Sequence, residues 1–195
     1  MPRILLHNCC GPCTLDPLER LRSDGWTVHG FFYNPNIQPY QEWQRRRTAL
    51  ETVAEARKLP LIVREDYDLE GFLRQVVFRE EHRCLTCYSL RLEATARLAA
   101  NSRFDAFTTT LLYSKFQRHD LIRTLAEAAG RRYGIAFVYQ DFRAGWKNGQ
   151  DQARALGIYR QQYCGCIYSE RDRFYPKGKS RRTPASPAAG DGSLT

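Results

Sequence analysis

Short apolar runs alternate along this chain with longer stretches whose apolar residues recur every three or four positions. Five runs rich in β-branched and aromatic residues predict strands: 4–7 (ILLH), 27–33 (TVHGFFY), 59–65 (LPLIVRE), 104–112 (FDAFTTTLL) and 135–142 (IAFVYQDF). Helical spacing fills the intervals at 15–23, 41–58, 69–80, 85–100, 119–132 and 150–162. Within 41–58 it sets Trp43, Arg47, Leu50 and Ala54 along one side, and within 85–100 Leu90, Ala94 and Leu98. Asp68 is a natural N-cap, and Tyr133-Gly134 a natural stop.

Strand and helix in alternation predict an α/β fold, a Rossmann-like (HUP-type) parallel sheet of about five strands flanked by helices. In such sheets, sites form beyond the carboxyl ends of the strands. Residues 9–13 follow the first strand, 34–36 the second, 113–115 the fourth and 143–148 the fifth, so these loops are expected on one rim. Residues 1–175 read as a single domain. From Pro176 onward (PKGKSRRTPASPAAGDGSLT) the composition turns to Pro, Ser, Gly, Ala and basic residues, which predicts a disordered tail.

The 195 residues carry a formal charge of +9. Lys177, Lys179, Arg181 and Arg182 against Asp191 account for +3, which leaves +6 for residues 1–175. An arginine-rich basic domain with 11 tyrosines and 10 phenylalanines suits a polyanion with unpaired bases, and equally suits a soluble basic enzyme. No apolar run nears the roughly 20 residues of a membrane span, and RILLH is too short for a signal-peptide core, so a cytoplasmic protein is expected.

Cysteine changes the picture most. The seven fall in three groups: Cys9, Cys10 and Cys13; Cys84 and Cys87; Cys164 and Cys166. Clustering of this kind points to metal or redox chemistry in a reducing compartment rather than to a disulfide framework. CGPC at 10–13 is the thioredoxin tetrapeptide, but only eight residues precede Cys9, so the strand–helix unit that comes before it in thioredoxins is missing. Four thiolates could hold zinc or an iron–sulfur cluster. The adjacent Cys9-Cys10 pair favours the cluster, because neighbouring side chains diverge and reach different metal corners. The pair Cys164-Gly165-Cys166 can ligate metal or form a strained, easily reduced disulfide. Neither a Walker loop nor a GxGxxG is present, and NCCGPCT stands where a phosphate loop would follow the first strand.

Five segments, LLHNCCGPC, FFYNPNIQPYQEW, CLTCYSLRLEATA, TTTLLYSKFQRHDLI and YRQQYCGCIYS, together resemble the cobalamin-independent epoxyqueuosine reductases, the QueH family, over residues 3 to about 175. The resemblance implies reduction of epoxyqueuosine to queuosine at the tRNA wobble position, with a [4Fe–4S] cluster and an adjacent mononuclear iron. It implies Cys9, Cys10, Cys84 and Cys87 as cluster ligands and Cys164 with Cys166 as a redox-active pair; Cys13 is a candidate ligand of the second iron. Its partners would be tRNA carrying epoxyqueuosine and an external electron donor.

Acid–base or substrate-contact candidates near the rim are Tyr40, Glu42, Tyr113, His119 and Asp141, each with an alternative as an ordinary packing or helix-end residue. Candidate tRNA contacts are Arg45, Arg46, Arg47, Lys115, Arg118, Arg143 and Lys147, and Trp43, Tyr113 or Trp146 could stack on a splayed base. Two competing functions stand beside this one, an iron–sulfur tRNA sulfur transferase and a zinc-stabilised RNA-binding module without catalysis.

Overall fold

In the computed structural model, which describes residues 1–176, five strands form one parallel sheet in the order β3-β2-β1-β4-β5. The strands are β1 (Arg3–His7), β2 (Thr27–Phe32), β3 (Leu61–Val63), β4 (Ala106–Thr109) and β5 (Ala136–Phe137). The central pairings are Leu5 with His29 and Leu5 with Phe107. The helices are α1 (Pro12–Ser23), α2 (Tyr40–Ala56), α3 (Leu69–Val76), α4 (Arg83–Asn101), α5 (His119–Tyr133), α6 (Trp146–Ala155) and α7 (Ile167–Phe174). Helix α1 packs on α2 and α6, and α4 packs on α5. No helix among the described residues is long and apolar enough to cross a membrane.

Strand β1 is central, and its residues Ile4, Leu5 and Leu6 are wholly buried, as a strand covered on both faces must be. Chain order reverses between β1 and β4, so the crevice beyond their carboxyl ends is the switch point where such sheets place their sites.

Several elements differ from the expectation for local reasons. The run 104–112 yields a four-residue strand, because Thr109 caps a 3₁₀ turn (Thr110–Tyr113) by accepting from the Leu111 N–H. The run 135–142 contributes only Ala136 and Phe137 as an edge strand. The helix expected at 150–162 starts and ends earlier, at 146–155, and is followed by Gly157 with φ 62°, a stop that its sequence announces. Helix α7 was not expected. On α2 the buried face includes Glu42, Trp43, Arg46 and Leu50, so Arg46 rather than Arg47 faces inward. The tail assigned from Pro176 lies, after that residue, outside the described residues.

Candidate metal and redox site

Loop 8–11 leaves β1 and turns at once into α1. A side chain at Gly11 would place its Cβ 2.5 Å from the Ala49 carbonyl oxygen, so only glycine lets this loop lie against the backbone of α2. Pro12 occupies the first turn of α1, where its missing N–H costs nothing. Asn8 clamps the turn: its carboxamide donates to Thr14 at 2.8 Å and accepts from the Phe31 N–H at 3.0 Å. The result gathers Cys9, Cys10 and Cys13, whose sulfurs all lie within 4.8 Å of one another. The Cys9 N–H donates to Thr110 Oγ1 at 3.1 Å, which ties this triad to the end of β4.

An all-sulfur donor set suits zinc or iron–sulfur centres rather than hard cations. Hydrogen bonds from the Cys10 and Cys13 thiols, then from Thr110, hold the Cys9 thiol well below its ordinary range. Burial raises Cys10, and Cys13 is raised by donating to its two neighbours. One thiolate shared among three sulfurs is what buried proximity allows without a metal, and a cation would displace the remaining protons.

Cys84 lies in the first turn of α4 and Cys87 at the start of the second, both outside that triangle. Both feel the charge of Cys164 and Cys166, after burial as the main influence, and Cys87 is pushed up to about 12. Buried Arg91, one turn along α4 from Cys87, joins the two groups. Its Nη2 donates to Cys87 Sγ at 2.9 Å, and its charge reaches Cys164 and Cys9. Nothing in the sequence pattern had singled out Arg91, although its i,i+4 spacing from Cys87 is a signal.

Cys164 is exposed and Cys166 buried, on a tight loop pinned to the segment before α2 and to α2 itself. Gly165 has φ 136°, and its carbonyl accepts from the Gln38 N–H at 2.8 Å. The Tyr163 hydroxyl donates to the Gln38 carbonyl at 2.6 Å. From α2, Arg46 donates to the carbonyls of Cys164 (2.8 Å) and Tyr163 (2.9 Å) and to Glu42 (2.7 Å). Cys9, Cys13 and Cys164 line one cleft of ≈ 320 Å³ together with Arg91, Phe116, Gln117 and Trp146. Gln161 donates to Cys13 Sγ at 3.1 Å and Gln117 to Cys164 Sγ at 3.2 Å, so two carboxamides border the thiols.

The structure redistributes the remaining candidates. Arg46 is 1% exposed and, although it reaches the cleft wall, all three of its nitrogens are engaged inside the fold. Glu42 is buried, paired with Arg46 and accepting from the Tyr159 hydroxyl at 2.5 Å, outside the cleft lining. Tyr40 is half exposed and stacks on Trp43, which belongs to a core cluster with Phe32, Ile37 and Leu50. Tyr113 is buried, donates to the Trp146 carbonyl at 2.8 Å and stacks on that indole at 5.1 Å; burial raises its hydroxyl. His119 is buried and bonds the Ser114 carbonyl.

Asp141 is held ionised by its bonds to Arg143, near 2, which makes it a poor proton donor at neutral pH and occupies Arg143. Arg47 pairs with Glu51 and Glu65, and Lys147 with Asp151. Arg45 lies over the Tyr159 ring at 5.8 Å, lining a separate groove. Lys115 lies over the Phe116 ring at 5.3 Å, and the charge of Arg118 reaches Cys84. His7 is buried and neutral, lowered to about 4 by burial and then by Arg91, and bonds Thr109 and the Tyr33 carbonyl.

Fold and site together define a Rossmann-like α/β protein with a thiol cradle at its switch point and a cysteine pair facing it. Residues 4–172 match the family model described as epoxyqueuosine reductase QueH. A relative of that name from Dehalococcoides mccartyi is 35% identical over 187 residues, covering 96% of this chain and 99% of its own length. Another of the same name, from Thermotoga maritima, is 34% identical over 183 residues, covering 89% of this chain and 93% of its own. The chain belongs to the epoxyqueuosine reductase QueH family, a family of oxidoreductases. The fold is also that of the crystal structure of a predicted subunit of tRNA methyltransferase from Methanocaldococcus jannaschii. The match has a TM-score of 0.54 at 13% identity, over 79% of this chain and 75% of that one.

Proposed function

We propose that this protein reduces epoxyqueuosine to queuosine at the wobble position of tRNA, in the cytoplasm. The observation that carries the reading, beside family membership, is that Cys9 and Cys13 share one cleft with exposed Cys164. Deoxygenation of an epoxide consumes two electrons and two protons and yields an alkene and water. Oxidation of the Cys164–Cys166 dithiol to a disulfide releases the same two electrons and two protons, and an external donor must then reduce that disulfide again.

On the family resemblance a [4Fe–4S] cluster would be held by Cys9, Cys10, Cys84 and Cys87, with Cys13 toward a second iron; the support is an all-sulfur donor set, in which Cys9, Cys10 and Cys13 lie within 4.8 Å of one another. Such a centre would supply one-electron transfer and a Lewis acid. The chain's own contribution is charge and placement. Buried Arg91 and Arg46 offset the thiolates' negative charge, Gln117 and Gln161 orient Cys164 and Cys13, and loop 163–166 holds Cys164 at the cleft wall with Cys166 buried behind it. A wobble base must leave its stack to enter, as bases do in enzymes that act on them.

Mass spectrometry of tRNA nucleosides from a deletion strain tests the reading. Epoxyqueuosine should replace queuosine; unchanged queuosine, in a strain with no second reductase, rejects it. Anaerobic metal analysis separates the alternatives: iron with inorganic sulfide supports the cluster, and stoichiometric zinc in a colourless protein rejects it.

A further inference from the structure

Phe116 is 75% exposed, on the turn between the 3₁₀ segment after β4 and helix α5, and it lines the same cleft as Cys9 and Cys164. A single exposed phenylalanine on a soluble protein is ordinary. This one differs in how it is held and in what surrounds it. The Phe116 N–H donates to Ser114 Oγ at 3.3 Å. The Ser114 carbonyl accepts from the Gln117 N–H at 3.2 Å and bonds His119 Nε2 at 3.3 Å. The Phe116 ring meets the Trp146 indole edge to face, with centroids 6.1 Å apart, and that indole is itself stacked on buried Tyr113. The aromatic surface is therefore fixed in advance, which removes the ordering cost of binding against it.

Its neighbours are cationic. Lys115 Nζ lies 5.3 Å from the ring centroid, Arg118 follows two residues on, and Arg173 lines the cleft. Among the described residues, Lys115 and Arg118 make no salt bridge, unlike Arg47, Arg143 and Lys147. An open, pre-positioned ring bordered by unneutralised cations, at the mouth of a cleft whose inner wall carries thiols, matches an unpaired nucleobase with its flanking phosphates better than it matches an aliphatic or cationic ligand.

We propose that Phe116 is the platform on which the base entering the cleft stacks, with Lys115 and Arg118 taking the adjoining phosphates. The proposal rests on the tRNA reading above and adds the residues that seat the base. Phe116 belongs to binding, since the reacting thiols lie beyond it.

The test uses the metal-loaded full chain and an anticodon stem-loop RNA carrying 5-iodouridine at the wobble position. Phe116→Ala should weaken binding about tenfold, within the range for loss of one base–aromatic stack, while Phe116→Tyr keeps it. Photo-cross-linking of the parent protein should map to the peptide containing Phe116. Lys115→Ala with Arg118→Ala should lower affinity and flatten its salt dependence without moving the cross-link. A Phe116→Ala variant that binds like the parent, or a cross-link that maps elsewhere, overturns the platform. A parent protein with no affinity for the stem-loop overturns the tRNA reading itself, and the platform with it.

Discussion

The guanidinium of Arg46 lies 2.8 Å from the carbonyl oxygen of Cys164, a residue 118 positions further along the chain. Through this bond, helix α2 holds loop 163–166 against the cleft. The side chain is buried, and each of its three nitrogens has a partner: Glu42, Cys164 and Tyr163.

Removing that cation leaves Glu42 buried without its ion-pair partner and strips two carbonyls of their donor. Arg46→Met should cost about 3–5 kcal/mol of folding stability, the usual result of breaking a buried pair from one side. Arg46→Lys should recover little, because an ammonium cannot reproduce the planar fork that reaches three acceptors. Chemical denaturation measures the loss. Alkylation of Cys164 should become several times faster as its loop comes free, and an unchanged alkylation rate would show that α2 does not hold the loop.

Gly165 sits between Cys164 and Cys166 with φ 136°, a region that L-residues rarely enter. A Cβ there would also stand 3.0 Å from Ile37 Cγ1 and 3.2 Å from Arg46 Nη1. Gly165→Ala should therefore cost about 1–3 kcal/mol. Because the loop can relieve the strain by detaching, protection of the Gln38 amide, which donates to the Gly165 carbonyl, should fall in hydrogen exchange.

The two cysteine groups should separate on mutation. Cys84→Ser should lose the iron, since the serine hydroxyl is a poor substitute for a thiolate ligand. Cys164→Ser should retain iron and sulfide yet stop turnover with the physiological donor. Anaerobic iron and sulfide analysis beside an activity assay reads both. Loss of all iron in Cys164→Ser would remove the relay role from this pair.

The Asp141–Arg143 pair gives a pH dependence away from the thiols. Hydrogen bonds from Arg143 hold the Asp141 carboxyl near 2, below its ordinary 3.8. A depressed carboxyl stabilises the fold above its ordinary value and loses that contribution as pH falls from 3.8 toward 2. The pair is largely exposed, so Asp141→Asn should cost under about 1 kcal/mol at neutral pH. The difference between the two proteins should close as the acid limit is reached, which urea titrations at a series of pH values would follow.

Strand β1, the CCGPC loop and the start of α4 were legible because local rules govern them: apolar runs, a glycine–proline turn and cysteines at a helix start. Strands β4 and β5 were overestimated because a threonine cap and an edge position ended them, and hydrophobicity registers neither. Gly157 carried a stop signal for α6 that the apolar pattern masked.

The site shows the same division. Cysteine spacing by itself marked all seven thiols as belonging to metal or redox chemistry, and the order of strands put their loops on one rim. Tertiary structure decided which sulfurs meet: Cys13 joins Cys9 and Cys10, while Cys84 and Cys87 lie outside that triangle and feel the charge of Cys164 and Cys166. It also decided the fate of the arginines. Arg45, Arg46 and Arg47 are consecutive and alike in sequence, yet one covers a tyrosine, one is sealed under loop 163–166 and one pairs on the surface. Sequence fixes a residue's chemistry and helical phase. Whether a cation is solvated or buried depends on which carbonyls arrive from 117 or 118 residues away, and only the folded chain brings them there.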